Sequence, residues 1–315
     1  MKVYKTQDIR NVAVLGHGGC GKTTLVEAMA FTAGLTSRQG KVVDGNTLSD
    51  FDKEEIKRKF SIKTSIIPIE WNYWKINIMD TPGYFDFCGE VEEALAVADA
   101  AIIVVNAKAG VEAGTERAWK FCEKYSVPRA IFVTNMDDEH ADYKKVIEDL
   151  RERYGKKVAP FHFPIKEGNA ITGAVNVVKM EGRKFLANGK WEKRDIPADL
   201  TADLEETREF LMESIAETSE ELMEKYFGGE EFTEDEIIDG LRNSINEGSI
   251  VPVELGSGLN CLGIENVLST CVEFMPSPIR DNVKMIGKDP RTDKEHNVDY
   301  DSRRPFSAYV WKTIV

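Results

Sequence analysis

Gly16-His17-Gly18-Gly19-Cys20-Gly21-Lys22-Thr23 fits G-x-x-x-x-G-K-[ST], the spacing of a phosphate-binding loop. Its glycines let the backbone wrap a polyphosphate with N–H groups turned inward. Lys22 is spaced to reach the β- and γ-phosphates, and the Thr23 hydroxyl to ligate Mg²⁺. Such a loop needs a strand before it and a helix after it. Asn11–Leu15 reads as a buried strand, and the run opening at Thr24 and continuing to Ala30 reads as a helix. The positive N-terminal end of that helix would face the phosphates.

A second group of residues follows the hairpin that Ile66–Trp71 and Trp74–Met79 predict around Asn72-Tyr73, with the first strand at an edge because it carries Pro68. Asp80-Thr81-Pro82-Gly83 has the form D-x-x-G, directly after a strand. An Asp there holds Mg²⁺ through water, and the Gly83 N–H bonds a γ-phosphate oxygen. Only the triphosphate offers that contact, so it can hold a mobile segment in one state and release it in the other. Ser61, within Lys57–Ile62, is the candidate hydroxyl completing the Mg²⁺ shell; otherwise it is a loop serine.

Base selection is expected at the end of the strand Ala130–Val133, where Thr134-Asn135-Met136-Asp137 stands. A carboxylate at Asp137 accepts from N1–H and the exocyclic amine of guanine, whereas adenine meets it with an acceptor. A shifted register, Asn135 to Asp138, also fits N-x-x-D. Gly256-Ser257-Gly258-Leu259, after the strand Ile250–Leu255, is where a backbone N–H could meet guanine O6.

The elements positioning these groups alternate strand and helix, the pattern of a mostly parallel sheet with helices on both faces. Ala101–Val105 is a further buried strand; Glu112–Tyr125, Ala141–Tyr154 and Leu262–Phe274 read as helices. The expected fold is α/β, a phosphate-binding-loop nucleotide domain carrying an inserted α+β subdomain and followed by the first strand of a further domain. The division is 1–167 for the first part of the nucleotide domain, 168–248 for the insert, 249–280 for its last part, and 281–315 for a linker and one strand. The insert carries a polar hairpin (Ala174–Leu186) and acidic helices, with Thr233-x-x-Glu236 as a capping box. Pro305–Lys312 reads as the opening strand of the next domain, so the sequence reads as a piece of a longer protein.

Composition narrows the class. The net charge of −13 argues against a broad basic face gripping nucleic-acid backbone, and no sequence-specific nucleic-acid contact is expected. Acid concentrates between Asp199 and Asp239, read as a solvated helix face or a docking surface for a basic partner. There is no apolar run long enough for a membrane span, and Met1–Lys5 lacks a secretory core. Five cysteines, scattered and without C-x-x-C spacing, read as reduced thiols. The four histidines show no metal-ligand spacing. A cytoplasmic monomer is expected.

Taken together, these elements resemble the N-terminal part of bacterial elongation factor G, from about Thr6 to Val315. Tyr226–Glu234 resembles a signature of that factor's insert, while Phe274–Pro278 and Pro305–Ala308 resemble its exit into the second domain. The resemblance implies a P-loop GTPase fold followed by the start of a β-barrel domain, in a ribosome-dependent GTPase using Mg²⁺, acting in translocation or recycling, whose insert faces the ribosomal stalk protein. The chain departs from the pattern in several places. Gly19 stands where the family has an acidic residue, and Ser61 where it has a threonine. Tyr84 replaces the histidine of D-T-P-G-H, and Thr134-Asn135 replace the Asn-Lys of N-K-M-D. These departures resemble the elongation factor G-like paralogues. Lys22, Gly83 and Tyr84 are the candidate catalytic groups, with hydrolysis expected to be slow without a partner. Rival readings are a GTP-binding module with vestigial hydrolysis, a ribosomal protection factor, and a non-translational P-loop ATPase.

Overall fold

The computed structural model describes residues 2–168, 170–186, 189–279, 285–301, 303–304 and 306–313. A seven-stranded sheet carries the molecule. Its strands are β1 (Ile9–Gly16), β2 (Ser65–Trp71), β3 (Trp74–Asp80), β4 (Ala100–Asn106), β5 (Arg129–Thr134), β6 (Val158–Pro160) and β11 (Val251–Leu255). Across the sheet they stand in the order β2-β3-β1-β4-β5-β11-β6. All neighbours run parallel except the β2–β3 hairpin. Asn72 and Tyr73 both take positive φ at its turn, which matches the twist of the paired strands. Pro68, with no N–H to give, sits on β2 at the sheet edge, as its chemistry requires.

Alternation along β1 splits the core into two layers. Ala13 and Leu15 pack with β4, β5, α3 (Cys88–Leu95), α4 (Ala113–Lys124) and α5 (Tyr143–Tyr154). Val12 and Val14 face the other way, onto α1 (Lys22–Thr32) and α9 (Ile264–Glu273). β4 and β5, covered on both faces, are buried along nearly their whole length. Because β1, β3, β4, β5 and β11 are parallel, the loops leaving their C-terminal ends gather on one edge. The chain reverses its direction of travel across the sheet at β1, where an α/β fold opens its ligand crevice.

A second, four-stranded antiparallel sheet consists of β7 (His162–Glu167), β8 (Ala170–Asn176), β9 (Glu181–Phe185) and β10 (Trp191–Arg194). Its order is β10-β9-β8-β7. The sheet opens at His162, ahead of the expected start of the insert at 168, because β7 pairs with β8 rather than with the parallel sheet. The acidic helices are α6 (Thr201–Ala216), α7 (Glu220–Phe227) and α8 (Glu234–Glu247). Leu204, Leu211 and Ile215 of α6 pack with Leu241 and Ile245 of α8. The capping box at Thr233 and Glu236 is present. A two-stranded hairpin, β12 (Met285–Lys288) with β13 (Glu295–Val298), lies in the stretch expected to be linker.

Residues 306–313 form no strand, because none of the described residues offers that stretch a backbone ladder; Pro305 lies outside the described residues. The stretch instead packs back on the nucleotide domain, with Trp311 against the core and Lys312 Nζ on the Thr64 carbonyl at 3.0 Å. Among the described residues, no helix is long and apolar enough to cross a membrane.

Candidate functional site

Residues 16–21 leave β1, turn, and enter α1. Gly21 takes φ 103°, which a side chain would strain, and the turn brings the N–H groups of α1's first residues to the edge of the sheet. Lys22 folds back across the turn, donating to the carbonyls of His17 (2.8 Å) and Gly16 (3.3 Å). Gly83 lies directly over it. A Cβ there would collide with Lys22 Nζ and the His17 carbonyl, so only glycine allows the approach. His17 accepts the Gly114 N–H through Nδ1 at 3.2 Å and faces Glu112 with Nε2 at 3.6 Å. Cys20 is buried, and burial pushes its thiol upward, so it is not a reactive thiolate.

Thr23 and Ser61 meet with 3.1 Å between their hydroxyl oxygens, both buried. Ser61 is carried there by Glu55, whose carboxylate accepts from the backbone of Ile62 (2.9 Å) and Lys63 (3.0 Å) while closing the capping box of α2 (Lys53–Arg58). Asp80, at the end of β3, is 1% exposed, and neither of its oxygens makes a hydrogen bond of normal geometry, although the Ser49 and Thr23 hydroxyls lie near them. Burial pushes its carboxyl up to about 6, against the pull of the Ser49 and Thr23 hydroxyls. Asp50 is in the same condition. It is 3% exposed with both oxygens unpartnered, and burial raises its carboxyl above the ordinary range. Two buried carboxylates short of well-placed donors beside two hydroxyls form a set of hard oxygen ligands, and Mg²⁺ fits it.

Asp50 was not anticipated from sequence, since nothing in Ser49-Asp50-Phe51-Asp52 separates the buried carboxylate from the helix cap at Asp52. Glu27 was also missed. Buried on α1, it accepts from the backbone N–H of Gly40 and Leu48 and so anchors the segment that leads to Asp50 and Ser61.

Tyr84 is half-exposed beside the turn. Its ring lies against Phe60 at 4.6 Å between centroids, and a Cβ at Gly18 would come within 3.1 Å of it. Thr81 donates to the Val14 carbonyl at 2.6 Å and ties this segment to β1. Pro82 lines the same recess between Gly16 and α4.

The loops expected to read a base converge on the far side of α1. Met136 N–H bonds the Gly256 carbonyl (3.1 Å), and Gly256 N–H bonds that of Val133 (3.0 Å). Thr134 packs against Gly21, and Gly258 against Thr24 and Leu25 at the start of α1. Asn135 holds a positive φ, which turns the chain so that Asp137 rather than Asp138 faces the loop at 256–260. Asp137 accepts from Asn260 Nδ2 at 2.6 Å, whereas Asp138 turns toward Lys108, 3.7 Å away. Ser257 is wholly buried and Leu259 exposed. The structure thus brings the five expected stretches to one edge of the sheet.

Residues 7–277 match the family model described as the elongation factor Tu GTP binding domain. A crystal structure of a protein from Thermus thermophilus superimposes with a TM-score of 0.81 at 36% sequence identity. The match covers 86% of this chain and 40% of that one, so the present sequence spans well under half of the solved protein. With the turn at Gly16–Thr23, the buried acidic pocket and the loops at 134–137 and 256–260 all on its matched span, this chain belongs to the elongation factor Tu GTP-binding domain family, the nucleotide domain of translational GTPases.

Proposed function

We propose that this chain binds GTP with Mg²⁺ and hydrolyses it, slowly when alone, as the nucleotide-binding part of an elongation factor G-like factor that works on the ribosome in translocation or recycling. The observation that carries the reading is the meeting of Thr23, Ser61, Asp80 and Asp50 beside Lys22, with unpartnered carboxylate oxygens on the last two of the four. A divalent ion held there supplies charge neutralisation for the phosphate oxygens.

In this reading the turn at Gly16–Thr23 cradles the β- and γ-phosphates with backbone N–H groups, and Lys22 leaves its carbonyl partners to pair with them. Gly83 donates its N–H to the γ-phosphate, and Tyr84 hydrogen-bonds the attacking water. A phenol orients water but lacks an imidazole's basicity near neutral pH, which is why intrinsic turnover is slow. Asp137 selects guanine by accepting two N–H bonds, and the backbone of Ser257–Leu259 meets O6. Residues 1–167 and 249–280 serve as the nucleotide unit, 168–248 as an insert, and 281–315 as the way into a β-barrel domain. The acidic outer surface of α6 and α7 is the side offered to the ribosomal stalk protein.

Tyr84 also favours a second reading, in which hydrolysis is vestigial and the nucleotide state gates docking. Single-turnover hydrolysis of GTP, with and without ribosomes, decides between them. Ribosome-stimulated cleavage supports the enzyme, and cleavage that ribosomes leave unchanged supports the gate.

A further inference from the structure

The base-reading loops are held by two side-chain amides that no motif contains. Asp137 stands exposed at the end of β5, where a carboxylate is otherwise free to rotate. Asn260 Nδ2 donates to its Oδ2 at 2.6 Å. A carboxylate offers about four lone-pair sites, so this bond leaves both oxygens able to accept from a purine. Asn260 rides on a stiff loop. Its own N–H bonds Ser257 Oγ at 3.2 Å, and Ser257 exchanges backbone bonds with Leu262, both of 2.9 Å.

From the other side, Gln39 Nε2 donates to the Gly258 carbonyl at 2.5 Å, and Cys261 Sγ–H to Gln39 Oε1 at 3.2 Å. Gln39 thereby spans the loop around Asn260 and fixes the Gly258 peptide against the first turn of α1. Both amides are neutral, so they add no charge to the site; what they supply is orientation.

We infer that Asn260 and Gln39 are positioning residues for purine recognition, Asn260 orienting the Asp137 carboxylate and Gln39 the Gly258 backbone, in a chain that has Thr134 and Asn135 where the resembled motif has Asn and Lys. This rests on the guanine-nucleotide reading above and adds to it how specificity is held. The two amides act on different edges of the base. Asp137 faces N1–H and the 2-amino group, of which ITP keeps only the first. The Gly258 backbone faces O6, which ITP keeps and 2-aminopurine riboside triphosphate lacks.

The test is calorimetric titration of the protein with GTP, ITP and 2-aminopurine riboside triphosphate in Mg²⁺. Asn260→Ala is expected to weaken GTP by about tenfold, the scale of losing one hydrogen bond to a charged group. It should weaken ITP less, since ITP offers Asp137 only the N1–H, so that the GTP-over-ITP ratio falls. Asn260→Asp sets carboxylate against carboxylate and should be worse than Asn260→Ala. Gln39→Ala should weaken GTP and ITP together and narrow their lead over the 2-aminopurine nucleotide. Unchanged ratios in both Asn260 variants overturn the inference, as does tighter GTP binding by Asn260→Ala, which would make Asn260 an occluding latch. Failure of the unmutated protein to prefer GTP over ATP would instead sink the guanine reading itself.

Discussion

Thr23 and Ser61 stand 38 residues apart in sequence and 3.1 Å apart at their hydroxyl oxygens. That meeting joins the phosphate-binding turn to the segment after α2, and it takes place over the carboxylates of Asp80 and Asp50. A partnerless buried carboxylate costs free energy, and a cation that binds among these oxygens offsets the cost. Fold stability and metal affinity should therefore move in opposite directions when either acid is neutralised.

Asp50→Asn and Asp80→Asn are expected to raise the melting temperature in Mg²⁺-free buffer. Both should weaken Mg²⁺-dependent nucleotide binding, by about 10- to 100-fold for a group that supports the metal. Melting curves with and without Mg²⁺, paired with titrations, read both effects. Lower stability in both buffers would show the acids to be ordinary structural groups.

Tyr84→His puts an imidazole beside the proposed γ-phosphate position. If water positioning limits turnover, the ribosome-stimulated rate should rise by about 10², the lower end of general-base contributions. Rapid-quench measurement of phosphate release checks this. An unchanged rate assigns the job to another group.

His162 Nδ1 and Glu254 Oε2 lie 2.5 Å apart with almost no exposure, Thr270 donating to the other Glu254 oxygen at 2.6 Å. The pair ties β7 to β11, and β11 ends at the loop at 256–260 proposed to read the base. His162→Ala leaves the buried Glu254 Oε2 without its imidazole neighbour and should cost about 1–3 kcal/mol. Urea denaturation should show a lower midpoint with the slope kept. A shift under about 1 kcal/mol would mean that this contact contributes little to holding β7 on β11.

Glu236 closes the cap of α8 and pairs with Lys225. The Lys225 ammonium first, then the Thr233 N–H and hydroxyl, hold its carboxyl down at about 2, against 4.5 for an unperturbed glutamate. A depressed carboxylate stabilises the fold fully above pH 4.5 and loses that contribution as pH falls through about 2. Glu236→Gln should therefore be less stable than the parent at neutral pH, and the gap should close toward pH 2. Thr233→Ala should cost about 1 kcal/mol through the same cap. Hydrogen exchange of α8 against pH measures both, and a gap independent of pH would remove Glu236 from the cap.

What could be read in advance follows from distance along the chain. The turn at Gly16–Thr23 and the capping box at Thr233 are local, so spacing alone reveals them. Asp80 and Asp137 were legible because each ends a strand with strong apolar patterning. Asp50 and Asn260 were not, since their roles come from partners far along the chain that only the tertiary fold supplies. β6 has three residues and no periodicity to detect. β7 carries Pro164 and Lys166, and its place in the antiparallel sheet depends on pairing with β8. The β12–β13 hairpin is polar enough to pass for a linker, and the stretch at 306–313 has strand-like composition without a described strand to bond.

The central claim is capture of guanosine triphosphate by the turn, Lys22 and a divalent ion. Isothermal titration of the Mg²⁺-supplied protein with GTP and with ATP, repeated on Lys22→Ala, tests it most directly. Saturable heat with GTP, none with ATP, and affinity reduced by about 10- to 100-fold in the variant are the expected results. No heat with GTP, or equal affinity for the two nucleotides, would contradict it.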